Sequence, residues 1–159
     1  MKTLIQLGED RTPDALEFSG LKMLVEISTA TTDVEKGNKS KKSIRVWAKI
    51  DTAAYKTHLS YKITEYLSLS KKGAKQNVPT GGGLIDTKTY SIDLKFVDYN
   101  LDPFLNLDIG SLDKFPFSFE KALDYPEEQK NIGVLVGRDI LSRWNMCWDG
   151  PTSTVTIIE

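Results

Sequence analysis

Alternation with a period of two residues runs through this chain and restricts it to a fold built mainly from strands. Tyr90, Ile92, Leu94 and Phe96 are apolar and are separated by Ser91, Asp93 and Lys95. One face of such a strand is apolar and the other polar. Val46, Ala48 and Ile50 alternate with Arg45, Trp47 and Lys49 in the same way, and Leu21, Met23, Val25 and Ile27 have Lys22 and Glu26 among them. Leu105, Leu107 and Ile109 form a shorter run, and Thr154 to Ile158 is rich in β-branched residues, which suit a pleated surface. Helical spacing is confined to two short stretches. Ile63, Tyr66 and Leu67 share a face after Ser60, and Ile140, Leu141 and Trp144 do so after Asp139; Ser60 and Asp139 are the candidate N-caps. The expectation is a mainly β single domain over residues 1–159, with one or two short helices.

Composition narrows the function classes. At 159 residues, 40 % hydrophobic and 27 % charged, the chain has the balance of a domain that buries a core. Its 21 Lys and Arg face 22 Asp and Glu, for a formal net charge of -1, so neither nucleic acid nor an anionic membrane is an expected partner. A lone cysteine, Cys147, forms no intrachain disulfide, and its neighbours Met146 and Trp148 suggest a buried thiol. His58 is the only histidine, so no His or Cys cluster for a metal is visible; a surface or cap role is expected for it. No run is apolar enough to span a bilayer, and the first ten residues have too short an apolar run and too early an acid for a secretory signal. A cytoplasmic location is the expectation.

Two stretches read as insertions. Residues 31–43 are polar and carry Lys36, Lys39, Lys41 and Lys42, as a solvated hairpin tip would. Residues 98–131 mix acids with Phe104, Phe115, Phe117 and Phe119, which suggests packing against the body or a partner.

Chemistry concentrates at Ile50-Asp51-Thr52-Ala53-Ala54. A strand here delivers an acid into a turn of small residues. Small side chains let the backbone fold close to the carboxylate, so that main-chain N–H groups donate to it and fix its direction. Alone, an Asp-Thr turn is as well explained by local side-chain to backbone bonding. Its sequel is more specific. A short helical segment Tyr61 to Leu67 follows, then Val78-Pro79-Thr80-Gly81-Gly82-Gly83 leading into the amphipathic strand that ends at Phe96. Much later come Val134-Leu135-Val136-Gly137-Arg138-Asp139 and a terminal strand.

This order of motifs resembles the retropepsin-like aspartic proteases, and more closely their bacterial and archaeal relatives than the compact retroviral enzymes. The resemblance covers roughly residues 21–96 and 131–158 and leaves both insertions unexplained. The wording Ala48-Lys49-Ile50-Asp51-Thr52 is also similar to that of a bacterial group described as zinc proteases and related to the same fold, although no ligand cluster is visible here.

The resemblance implies a retropepsin-like half-barrel and a catalytic Asp51 that meets its copy across a two-fold axis, because the chain has a single match to the motif. Two carboxylates brought together share a proton and a water, so the pair supplies both base and acid for peptide hydrolysis, with no metal or organic cofactor. The partners implied are a second copy of the chain and a peptide or protein substrate. Thr52 would bond across the axis and, with Ala53 and Ala54, support the catalytic turn. Gly81, Gly82 and Gly83 would form the tip of a flap over an extended peptide. Leu135, Val136, Gly137 and Arg138 would pack beneath the turn. Two positions depart from the family. Ala53 stands where the family has glycine, and its methyl group crowds the turn unless φ is negative. Tyr55 stands where the compact enzymes have an acid that pairs with the arginine, so Arg138 needs another partner, Asp139 or an acid of the second insertion. Beside the endopeptidase stand two other readings: a catalytically silent dimer that binds an extended peptide or partner, and a monomeric adaptor that uses residues 98–131 as its contact surface.

Overall fold

A computed structural model of the chain describes residues 20–37, 40–80, 83–96, 105–112, 132–151 and 154–158. Among them are nine strands and three short helices: β1 (Lys22–Thr29), α1 (Thr31–Glu35), β2 (Ser43–Ile50), β3 (His58–Ser60), α2 (Tyr61–Tyr66), β4 (Lys71–Thr80), β5 (Gly83–Phe96), β6 (Leu105–Leu112), β7 (Ile132–Val136), α3 (Arg138–Leu141), β8 (Asn145–Asp149) and β9 (Thr154–Ile158). The protein is mainly β, as the alternation demands.

Seven strands form one mixed sheet in the order β1-β2-β7-β3-β6-β5-β4, and β8 and β9 form a separate antiparallel hairpin. The pairings β2–β7 and β3–β6 are parallel and the rest of the large sheet is antiparallel. β1 pairs with β5 as well as with β2, so the succession of pairings turns back on its first strand, with β4 carried outside it on β5.

Burial follows the sequence pattern. In β2, Ile44, Val46, Ala48 and Ile50 are buried while the residues between them are half-buried or exposed. Met23, Val25 and Ile27 of β1 and Ile92, Leu94 and Phe96 of β5 join them in a core completed by Leu59, Ile63, Leu67, Val134, Val136, Ile140, Val155 and Ile157. Each such side chain contributes roughly 1.5–3 kcal/mol when taken fully from water. β7 is buried along residues 133–136 because strands flank it on both sides, which is why it reads as an unbroken apolar run.

Several local expectations are corrected. The connection 31–43 does join two antiparallel strands, but it contains α1, and Asp33 within it is buried and paired with Lys72 at 2.7 Å, unlike a solvated tip. Thr31 donates from both its N–H and its hydroxyl to the buried Asp93 Oδ2, tying α1 to β5. The short strand expected at Leu105, Leu107 and Ile109 does form, as β6 within the second insertion, in register with β5 from Leu94↔Leu105 to Lys88↔Ser111; Phe104, Phe115, Phe117 and Phe119 lie outside the described residues. Ser60 occupies the N-cap of α2 without a side-chain capping bond. Gly137, not Asp139, is the N-cap of α3, and that helix ends at Leu141 before reaching Trp144. Trp144 instead meets Phe96 edge to face, with ring centroids 5.0 Å apart.

Candidate active site

The site begins with a crossing. β2 runs parallel to one side of β7, with Ile50 opposite Val136, and β3 lies along the other side of β7, with His58 opposite Leu135. The seven residues between β2 and β3, Asp51 to Thr57, therefore arch over the C-terminal end of β7. The Asp51 N–H donates to the Val136 carbonyl at 3.0 Å and begins the arch in register with that strand. At the crossing point stands Gly137. A Cβ there would lie 2.4 Å from the Lys56 carbonyl carbon and 2.5 Å from its oxygen, so only a residue without a side chain lets the two backbones pass.

Within the arch the carboxylate is held as the small residues suggest. Asp51 Oδ1 accepts the Ala53 N–H at 2.9 Å and the Ala54 N–H at 3.2 Å, and the Asp51 carbonyl also accepts from Ala54 at 3.2 Å. Among the described residues Oδ2 has no partner, so one oxygen is anchored and the other is not. Ala53 is exposed and does not have a positive φ; Ser68 is the one non-glycine residue that does among those described. Alanine therefore fits this turn without backbone strain. Thr52 is exposed beside the carboxylate.

The far end of the arch is bonded to the segment after β7. The Arg138 N–H donates to the Ala54 carbonyl at 3.0 Å. Asp139 Oδ1 accepts both the Thr57 N–H, at 3.0 Å, and the Thr57 hydroxyl, at 2.7 Å, while the Thr57 Oγ1 accepts the Gly137 N–H at 3.0 Å. Thr57 is fully buried. Sequence reasoning missed Thr57 and named Asp139 only as a cap or as a partner for Arg138. The Asp139 Oδ1 is taken by Thr57 and by the Ile140 N–H at 3.1 Å, and Arg138 is exposed. Thr57 and Asp139 lie 82 residues apart, and no local pattern connects them.

His58 follows directly and corrects another expectation. It is neither exposed nor a cap but a strand residue at 3 % exposure, and its Nε2 is buried with no hydrogen-bond partner among the described residues. Burial lowers its pKa below the ordinary 6.5 because the charged form loses hydration; a hydrogen bond with the Lys56 backbone and the charges of Asp139 and Asp51 oppose this without cancelling it.

The other candidates fall into two groups. Leu135, Val136 and Gly137 are buried beneath the arch, whereas Arg138, placed with them in the sequence expectation, is exposed at the start of α3. Gly81 and Gly82 lie outside the described residues. Gly83, with φ +112, pairs with Thr80 at the end of the antiparallel β4–β5 hairpin, a conformation that suits glycine, and Leu84 beside it is 72 % exposed. Tyr55 projects from the arch at 59 % exposure. Cys147 is exposed, contrary to the buried thiol its neighbours suggested, because Met146 and not Cys147 packs against the core. Among the described residues no group of three His, Cys, Asp or Glu is placed to hold a metal ion, and no helix is long and apolar enough to cross a membrane. No protein-family model matches the chain, and no curated protein matches it in sequence.

Proposed function

We propose that this chain is one half of a homodimeric aspartic endopeptidase of the retropepsin-like kind, its large sheet a half-barrel and Asp51 set against its copy across a two-fold axis. The observation that carries the reading is the Asp51 carboxylate, fixed through Oδ1 by two main-chain N–H groups in an arch strapped over β7. An acid held this way keeps its direction without spending its second oxygen, which is what a pair of carboxylates needs in order to share one proton and one water. One member of the pair takes a proton from the water as it attacks the peptide carbonyl, and the other supplies a proton to the departing amine. The exposed Thr52 is available to bond across the axis, and the β4–β5 hairpin supplies a cover for an extended peptide backbone.

The test takes the purified chain, its Asp51→Asn variant and a mixed peptide library at acidic and neutral pH, with sedimentation of both proteins. Cleavage that disappears with Asp51→Asn, in a protein that sediments as a dimer, is the expected result. A strict monomer at high concentration, or cleavage indifferent to the substitution, rejects it. Peptide binding without cleavage replaces the peptidase by a silent peptide-binding dimer.

A further inference from the structure

We infer that Thr57 and Asp139 are positioning residues for Asp51, together forming a buried clamp that sets where its carboxylate stands; this rests on the peptidase reading of Asp51. The arch has two ends. Its near end is fixed by β2 and by the Asp51 N–H on Val136. Its far end has no such strand pairing until His58, so the position of the turn depends on what holds residues 54–57. Three contacts do so: Arg138 N–H on the Ala54 carbonyl, Thr57 N–H and hydroxyl on Asp139 Oδ1, and Gly137 N–H on the Thr57 hydroxyl oxygen. The Thr57 hydroxyl is both donor and acceptor, so it links the carboxylate of α3 to the backbone at the crossing.

The type of residue at each position matters. Serine retains both bonds of the Thr57 hydroxyl, whereas valine keeps the shape and loses both. Asp139, as a carboxylate, takes two donors from one residue on a single oxygen, and such charge-assisted bonds are about twice as strong as neutral ones. Asparagine at 139 keeps an acceptor oxygen but weakens it. The clamp does not touch the reacting atoms; it acts through the arch.

Amide hydrogen exchange tests this without any need for cleavage. In Thr57→Val and Asp139→Ala the amides of Ala53, Ala54 and Arg138 should exchange about tenfold faster, the effect of roughly one hydrogen bond lost, while Ile92 and Leu94 of β5 keep their protection. Thr57→Ser should restore the wild-type pattern. If the protein cleaves peptides, Thr57→Val should lower kcat by on the order of 100-fold at unchanged KM, since a misplaced group loses rate before it loses binding. Should Thr57→Val fail to fold, Asp139→Asn takes its place and should loosen the same three amides to a smaller extent. Unchanged exchange in the arch overturns the clamp, as does equal loosening of the arch and of β5, which would mark ordinary destabilisation. A chain that cleaves nothing rejects the peptidase reading alone, because the exchange pattern still decides whether the clamp exists.

Discussion

The backbone carbonyl of Ala54 accepts the N–H of Arg138 at 3.0 Å, joining the Asp51 turn to the first residue of α3 right beside the crossing at Gly137. Two segments more than eighty residues apart in sequence are thus held at backbone contact. Among the glycines whose surroundings are described, Gly137 should tolerate alanine least. Its methyl group meets backbone atoms of Lys56 and Thr57 rather than flexible side chains, and these cannot withdraw without breaking the bonds on either side. Overpacking of this kind costs about 1–3 kcal/mol or more. A urea midpoint equal to that of the unsubstituted chain would show that the arch does not pass over residue 137 as described.

Ala53→Gly should not help. In sequence the alanine stands out, because the retropepsin-like proteases that the motif order resembles have glycine there and an added methyl group suggests crowding. In the structure residue 53 is exposed, without positive φ, and its N–H reaches Asp51 Oδ1 at 2.9 Å, so glycine relieves nothing. It does widen the unfolded ensemble, and the expected result is a loss of about 0.4–1 kcal/mol in denaturant unfolding. A gain in stability, or a large gain in peptide cleavage, would place a hidden strain at this position.

The Asp33–Lys72 pair should respond unequally to loss of either partner. Asp33 is buried in α1 at a side-chain exposure of 7 %, whereas the Lys72 side chain is 39 % exposed. Lys72→Met strands a buried carboxylate, while Asp33→Asn leaves an ammonium group that reaches water. With one partner so exposed, the cost of Lys72→Met is discounted to about 1–2 kcal/mol, and Asp33→Asn should cost less. Thermal unfolding of the two variants side by side checks the order; the reverse order would mean that the lysine, not the acid, depends on the pair.

What the sequence made legible was whatever repeats at short range. The alternation at Val46 to Ile50 and at Tyr90 to Phe96 reports which face is buried, and both strands appear with those faces in the core. The turn of small residues after Asp51 announced main-chain donation to the carboxylate, because that bond spans only two or three residues. Thr57 and Asp139 were illegible as a pair since their contact arises from the passage of the arch over β7, a matter of topology rather than of spacing. His58 was misjudged for a related reason. Its immediate neighbours, Thr57 and Leu59, do not reveal that strands close on it from both sides, β7 and β6. In Cys147 the error ran the other way: apolar neighbours implied burial, but β8 turns Met146 to the core and leaves Cys147 outside.

Acid should weaken the fold through His58. Its folded pKa lies below 6.5, so the native state favours neutral imidazole, while the unfolded chain takes up a proton near 6.5. Between the folded and unfolded values the unfolded state binds more protons, and stability therefore rises with pH across that window. The contribution is fully present above 6.5 and is lost as pH falls from there toward the lowered folded value. Stability measured by urea unfolding from pH 8 down to pH 5 should decline below about 6.5. Replacing the imidazole by a non-titrating ring in His58→Phe should flatten that part of the curve, whatever it does to stability at pH 8. Nearby Asp139 and Asp51 favour the protonated ring, so Asp139→Asn should steepen the decline by removing one of the two carboxylates that temper it. A slope that is the same with and without His58 would assign the acid sensitivity to other groups and leave the buried ring without a part in it.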